Sequence, residues 1–151
     1  MSIVPAENPF SDLSNELLEL ILVAAGGGYP RVLQWLHEQG CPWNADACAA
    51  AARRGDRRML KWLRQQSCPW DETACEAAAD YGRLELLQWL RRRGCPWGRG
   101  ACIGAARGGY LTMLQWLRGQ GCPWDDWMMH AAVKNDRDEV QQWASDNGCP
   151  G

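Results

Sequence analysis

Long apolar runs are missing from this 151-residue chain; the longest, Leu20 to Ala25, falls far short of the roughly 18–20 residues that cross a bilayer. No membrane association is expected. Lys and Arg are missing before Arg31, so the basic start of a signal peptide is missing too. Strong net charge is absent: the chain carries −2, without the field that grips nucleic acid or acidic lipid. No segment alternates with period two, so no strands are expected. There is no Ser/His/Asp set and no recurrent carboxylate pair. Gly26-Gly27-Gly28 lacks the Lys and the flanking strand of a phosphate loop, and reads instead as a helix break. No enzyme activity, cofactor or small-molecule substrate is expected. Phenylalanine occurs once, against ten Trp and eight Cys.

The two excesses share one cause. Cys-Pro-Trp recurs at Cys41, Cys68, Cys95 and Cys122, and the chain ends Cys149-Pro150-Gly151, always 27 residues apart. A fixed period in this range signals stacked repeats. In one copy, Asp71 can cap a helix over about 72–81, with Asn44, Gly98 and Asp125 in the same column. Ala74, Cys75, Ala78 and Ala79 give that helix one face of small side chains. Gly82 breaks it; Gly55 and Gly109 share the column, and Asp136 replaces them in the last copy. A second helix over about 83–93 buries Leu86, Leu87, Trp89 and Leu90. Gly94 ends it in a Schellman motif, with Cys95 packing back on Leu90.

The expected fold is an all-α solenoid of helix pairs. A tail over 1–12 precedes one repeat domain over 13–151, with units at about 13–43, 44–70, 71–97, 98–124 and 125–151. The segment Leu13–Ala25 serves as the leading helix of the first unit, with Ser11 or Ser14 as its cap. Gln141 and Gln142 make the last unit polar, as suits a solvent-facing cap.

The run Ala78-Ala79-Asp80-Tyr81-Gly82-Arg83-Leu84-Glu85-Leu86-Leu87-Gln88-Trp89-Leu90 resembles the ankyrin pattern A-A-x-x-G-H-L-E-V-V-K-L-L. The likeness recurs at 51–63 and 105–117, and loosely at 132–144. Ankyrin units run to about 33 residues; these are shorter, with Cys-Pro-Trp in place of the β-hairpin finger. Short units of this kind are similar to those abundant in giant DNA viruses, which implies a binding scaffold in a host cytoplasm. Asp12-Leu13-Ser14-Asn15-Glu16-Leu17-Leu18-Glu19-Leu20-Ile21-Leu22 resembles the opening of an F-box, with Ser14 in place of its Pro. That resemblance implies an alternative, an adaptor that delivers a partner to a ubiquitin ligase.

Cys41/Cys48, Cys68/Cys75 and Cys95/Cys102 recur as C-x6-C, and Met129 stands in the fourth helix position. Met replacing Cys points to apolar sites. His37 and His130 lie in different columns and complete no zinc set. Free thiols, no metal and a reducing, cytoplasmic compartment are expected. The helix tryptophans Trp35, Trp62, Trp89, Trp116 and Trp143 are expected as core, wedged between units.

Charge is uneven: residues 1–30 carry −4, 31–118 carry +6 and 119–151 carry −4. Arg91-Arg92-Arg93 complements a helix dipole. Nucleic acid binding through the basic centre is a second alternative, and not the expected one. The ankyrin resemblance implies a contact surface at the residues after each Ala-Ala pair, here Arg53, Arg54, Asp80, Tyr81, Arg107, Lys134 and Asn135. Trp127 joins them as the one Trp outside both aromatic columns. The expected partner is a protein, bound by a monomer.

Overall fold

The computed structural model describes the backbone of residues 14–151 and the side chains from Glu19 onward. Among the described residues there are ten helices and no strand: α1 Ser14–Gly27, α2 Pro30–Glu38, α3 Ala45–Arg54, α4 Arg57–Gln65, α5 Glu72–Asp80, α6 Leu84–Arg92, α7 Arg99–Gly108, α8 Leu111–Gly119, α9 Asp126–Lys134 and α10 Asp138–Asp146. The chain is all-α. The tail over 1–12, Leu13 and the Ser11 cap lie outside the described residues. Of the F-box-like run, Asp12 and Leu13 lie outside as well.

From α3 on, each odd helix starts where a cap can form. Asn44, Asp71 and Asp125 accept from the N–H groups of Asp46, Thr73 and Trp127 through their side chains, satisfying donors that the first turn leaves free. Gly98 holds the same extended conformation without a side-chain bond.

Every helix from α2 to α10 ends in one turn geometry. After α6 the Cys95 N–H donates to the Leu90 carbonyl at 3.0 Å and the Gly94 N–H to the Arg91 carbonyl at 3.0 Å. This is a Schellman ending, with Gly94 at φ 81°. After α5 the Arg83 N–H reaches the Ala78 carbonyl at 2.8 Å, with Gly82 at φ 68°. The first alanine of each Ala-Ala pair therefore supplies the carbonyl that closes the turn. Two of these left-handed positions are not glycine: Ser67 at φ 62° and Asp136 at φ 53°. Of the three glycines at 26–28, only Gly28 breaks the helix; α1 continues through Gly27.

The odd helices pack in sequence, α1 on α3, α3 on α5, α5 on α7 and α7 on α9, and each even helix packs on the odd helix before it. Small residues allow the close approach. Ala47, Cys48, Ala51 and Ala52 on α3 and Ala74, Cys75, Ala78 and Ala79 on α5 are fully buried. Leu60, Leu63, Leu87, Leu90, Leu114 and Leu117 fill the layer between odd and even helices, all fully buried. At about 25 cal/mol per Å² of apolar area, full burial of a Leu side chain contributes about 1.5–3 kcal/mol.

The helix tryptophans are not core, which corrects the sequence expectation. Trp62, Trp89, Trp116 and Trp143 are half-buried, and Trp35 is 56% exposed. The physical reason is the short interval between odd helices, which small side chains fill completely, so that an indole fits only at the outer edge.

In α10, Val140 and Ala144 are buried and Gln142 is exposed. Gln141 is half-buried, with its Nε2 3.4 Å from the Ala132 carbonyl.

Candidate functional site

The residues after the Ala-Ala pairs sit at the C-terminal ends of the odd helices. The structure joins several of them to one another. Arg107 Nη1 donates to Asp80 Oδ1 at 2.7 Å, from one repeat to the one before it. The Arg53 guanidinium lies 6.0 Å from the Tyr81 ring centroid. Arg54 Nη1 lies 3.4 Å from the Gly26 carbonyl. Asn135 caps α9 and donates from Nδ2 to the Ala131 carbonyl at 2.8 Å. Lys134 is exposed and forms no ion pair among the described residues. These side chains form a row from repeat to repeat. An exposed ion pair of this kind contributes about 0–1 kcal/mol, so the row costs the fold little to change.

Trp127 lies apart from that row, at the start of α9, and is 57% exposed. Its ring meets His130 edge-on at 5.9 Å. Together with Asp126, Met129, Val133 and Gly151 the two rings line an open, mainly apolar depression of about 430 Å³.

The two tryptophan columns meet on the opposite side of the repeats. Each turn tryptophan makes an edge-to-face contact with the helix tryptophan of the following repeat: Trp43 with Trp62 at 5.8 Å, Trp70 with Trp89 at 6.4 Å, Trp97 with Trp116 at 5.7 Å and Trp124 with Trp143 at 5.6 Å. Among the described residues Trp35 has no such partner; the sequence holds no Cys-Pro-Trp turn before it.

A guanidinium covers each inner turn ring. Arg64 lies 4.4 Å from the centroid of Trp70, Arg91 4.1 Å from Trp97 and Arg118 3.9 Å from Trp124. The same three arginines donate from Nη1 to the carbonyls of Cys68, Cys95 and Cys122 at 2.6, 2.7 and 3.2 Å. Each thus satisfies a turn carbonyl and adds a cation–π contact. His37 fills the column in the first repeat, stacked on Trp43 at 3.8 Å. The sequence reading missed this bond, although a basic residue six positions before each inner turn tryptophan was its signal.

Between the columns lie shallow grooves of mixed polar and apolar lining that repeat in register. One is lined by Lys61, Arg64, Gln65, Trp70, Trp89 and Arg93. The next is lined by Gln88, Arg91, Arg92, Trp97, Trp116 and Gln120, the same columns one repeat on.

The thiols pair differently from the C-x6-C spacing. Cys48 donates to the Cys68 sulfur at 3.8 Å, and Cys68 to the Asn44 carbonyl at 3.5 Å. Cys75 and Cys102 hold the same column as Cys48, and their thiols are pushed up by the neighbouring turn cysteines, Cys95 and Cys122, and by burial. Cys95 and Cys122 reach the carbonyls of Asp71 and Gly98, both at 3.4 Å, and Cys149 reaches that of Asp125 at 3.7 Å. The turn cysteine therefore has a polar task, tying the end of its repeat to the helix start, whereas the helix cysteine is largely a packing residue. Met129 can stand in the helix column for that reason. The hydrogen bond to Cys68, followed by burial, holds the Cys48 thiol well above its ordinary range. A thiol so protonated is a poor nucleophile.

On α5, Glu76 faces the α7 start beside Arg99, Gly100 and Ile103. Burial, then Glu72, Asp80 and Asp71, push its carboxyl up, opposed by Arg107. Among the described residues no group of His, Cys, Asp and Glu could hold a metal ion, and no helix is long and apolar enough to cross a membrane. No protein-family model matches the chain, and no curated protein matches it.

Proposed function

We propose that this chain is a protein–protein recognition scaffold, a solenoid of short ankyrin-like helix pairs that binds without chemistry. One observation carries the reading. Caps, Schellman turns and buried Ala, Leu and Cys columns recur every 27 residues, while the exposed side chains between them differ from repeat to repeat. A fold that repeats its interior and varies its exterior supports extended binding surfaces. The row of Arg53, Arg54, Asp80, Tyr81, Arg107, Lys134 and Asn135 is one such surface, and Trp127, apart from the row at the start of α9, adds a second contact on the last repeat. Partner capture by the double variants Arg53→Ala/Arg54→Ala and Asp80→Ala/Tyr81→Ala tests this surface. Both should keep their folding within about 0.5 kcal/mol per site and lose capture. Unchanged capture by both would remove the row from the interface.

A second reading, the F-box-like adaptor, is favoured by α1. That helix buries Ile21, Ala24 and Ala25 but leaves Leu20 51% and Val23 65% exposed. Leu20→Ser/Val23→Ser should abolish ubiquitin-ligase docking on the adaptor reading and change nothing on the scaffold reading.

A further inference from the structure

We infer that the outer face formed by α4, α6 and their Cys-Pro-Trp turns binds an acidic, extended peptide segment of a partner protein, with one carboxylate in each repeated groove. The inference rests on the scaffold reading and assigns it a second surface, opposite the row at the ends of the odd helices.

Three observations carry it. The first is charge. Residues 57–70 hold four basic side chains and no acid, and residues 86–98 hold Arg91, Arg92 and Arg93 and no acid; Glu85, in the first turn of α6, is the one acid on these two helices. Among the described residues the ion pairs are Arg99–Asp125 and Arg107–Asp80, so Lys61 and Arg92, which line the grooves, have no ion-pair partner. Both are exposed. Leaving unpaired cations on one face of a chain whose net charge is −2 builds a local positive field.

The second is repetition. The groove at Lys61, Trp70 and Trp89 is followed one repeat later by the groove at Gln88, Arg92, Trp97 and Trp116. Packed helices lie about 8–10 Å apart. Residues i and i+3 of an extended chain are separated by about 10 Å at roughly 3.3 Å per residue. An extended peptide with carboxylates every third residue therefore matches the grooves.

The third separates peptide from polynucleotide. Single strands bind aromatic platforms by stacking their bases on open rings. Here a guanidinium already covers one face of Trp70, Trp97 and Trp124, and the neighbouring indole makes an edge contact. What the grooves still offer is forked or point-charge donors beside an apolar edge. That set suits a carboxylate, which takes charge-assisted hydrogen bonds from Arg and Lys.

The test is fluorescence anisotropy with the full chain and three labelled probes: a short peptide with Glu at every third position, the same peptide with Gln there, and an oligo-dT of similar length. At low ionic strength the Glu peptide should bind at least about tenfold more tightly than the Gln peptide. Lys61→Glu with Arg92→Glu should weaken it by a further factor of about ten or more, and the milder Lys61→Gln with Arg92→Gln by less. Lys134→Glu, on the other surface, should leave it unchanged. Circular dichroism melts confirm that each variant is folded. Equal affinity for the Glu and Gln peptides, or equal loss in Lys134→Glu, overturns the inference. So does tighter binding of oligo-dT that disappears in the Lys61/Arg92 variants, which would make the face a nucleic-acid site. If the peptide fails while the Arg53/Arg54 variant still loses its partner, this inference falls and the scaffold reading stands.

Discussion

Where α3, α5, α7 and α9 meet, the side chains are mainly alanine, cysteine and glycine, and most are shut away from water. Where the turn tryptophans meet the next even helix, every ring is half-exposed, held by an edge contact and, at Trp70, Trp97 and Trp124, by a guanidinium. Both junctions link the same consecutive repeats, yet they do different work. The first depends on shape alone, with no room for change. The second spreads its hold over several modest contacts, of about 0.5–1.5 kcal/mol for an aromatic pair and about 0.5–1 for an exposed cation–π contact. Its surface residues can therefore vary, and that tolerance is what a binding face needs.

Overfilling the small-residue junction should hurt more than trimming the aromatic one. Ala78→Leu places three extra carbons between α5 and its neighbours and should cost about 1–3 kcal/mol or more in urea unfolding. A loss under half a kcal/mol would mean the junction is looser than its burial indicates. At the aromatic junction, Arg91→Ala removes one cation–π contact and one hydrogen bond to the Cys95 carbonyl. The expected cost is about 1–2 kcal/mol. Arg91→Lys should recover only part of it, since Lys lacks the planar group that covers the ring.

Smaller effects come from the turns and the acidic stripe. Ser67 holds φ 62° in a glycine column, so Ser67→Gly should stabilise the chain by up to about 1 kcal/mol. Asp136→Gly should gain less, because Asp tolerates the left-handed region better. The raised Glu76 carboxyl means that the folded chain binds that proton more tightly than the unfolded chain does. Its charge opposes folding at pH above the raised value, and the penalty fades as pH falls through that value toward the ordinary carboxylate range. Glu76→Gln should therefore raise Tm slightly at pH 7 and leave it unchanged near about pH 3.

Much of the helical layout was legible. The expected helix over 72–81 is α5 at Glu72–Asp80, and the one over 83–93 is α6 at Leu84–Arg92. The first follows from the Asp71 cap and the Gly82 stop, the second from its leucine spacing and the Gly94 stop, all signals that act within a few residues. The contacts that escaped notice depend on how one repeat is offset against the next. Trp70 meets Trp89, 19 residues on, because the turn ends beside the following even helix. Cys48 meets Cys68, and not Cys41, because the odd helix folds back on the turn that closes its own repeat. Among the candidate site residues, the sequence showed that Asp80 and Arg107 share a column. It did not show that they join in an ion pair.

The most direct test of this division of labour is to unfold Leu90→Ala and Trp89→Ala side by side in urea. Leu90 is fully buried between α6 and its partner helix, while its neighbour Trp89 is half-buried at the aromatic edge. The expected losses are about 2–5 kcal/mol for Leu90→Ala and about half the cost of a fully buried Trp, roughly 1.5–2.5 kcal/mol, for Trp89→Ala. A larger loss in Trp89→Ala than in Leu90→Ala would place the stability at the aromatic edge and contradict the account.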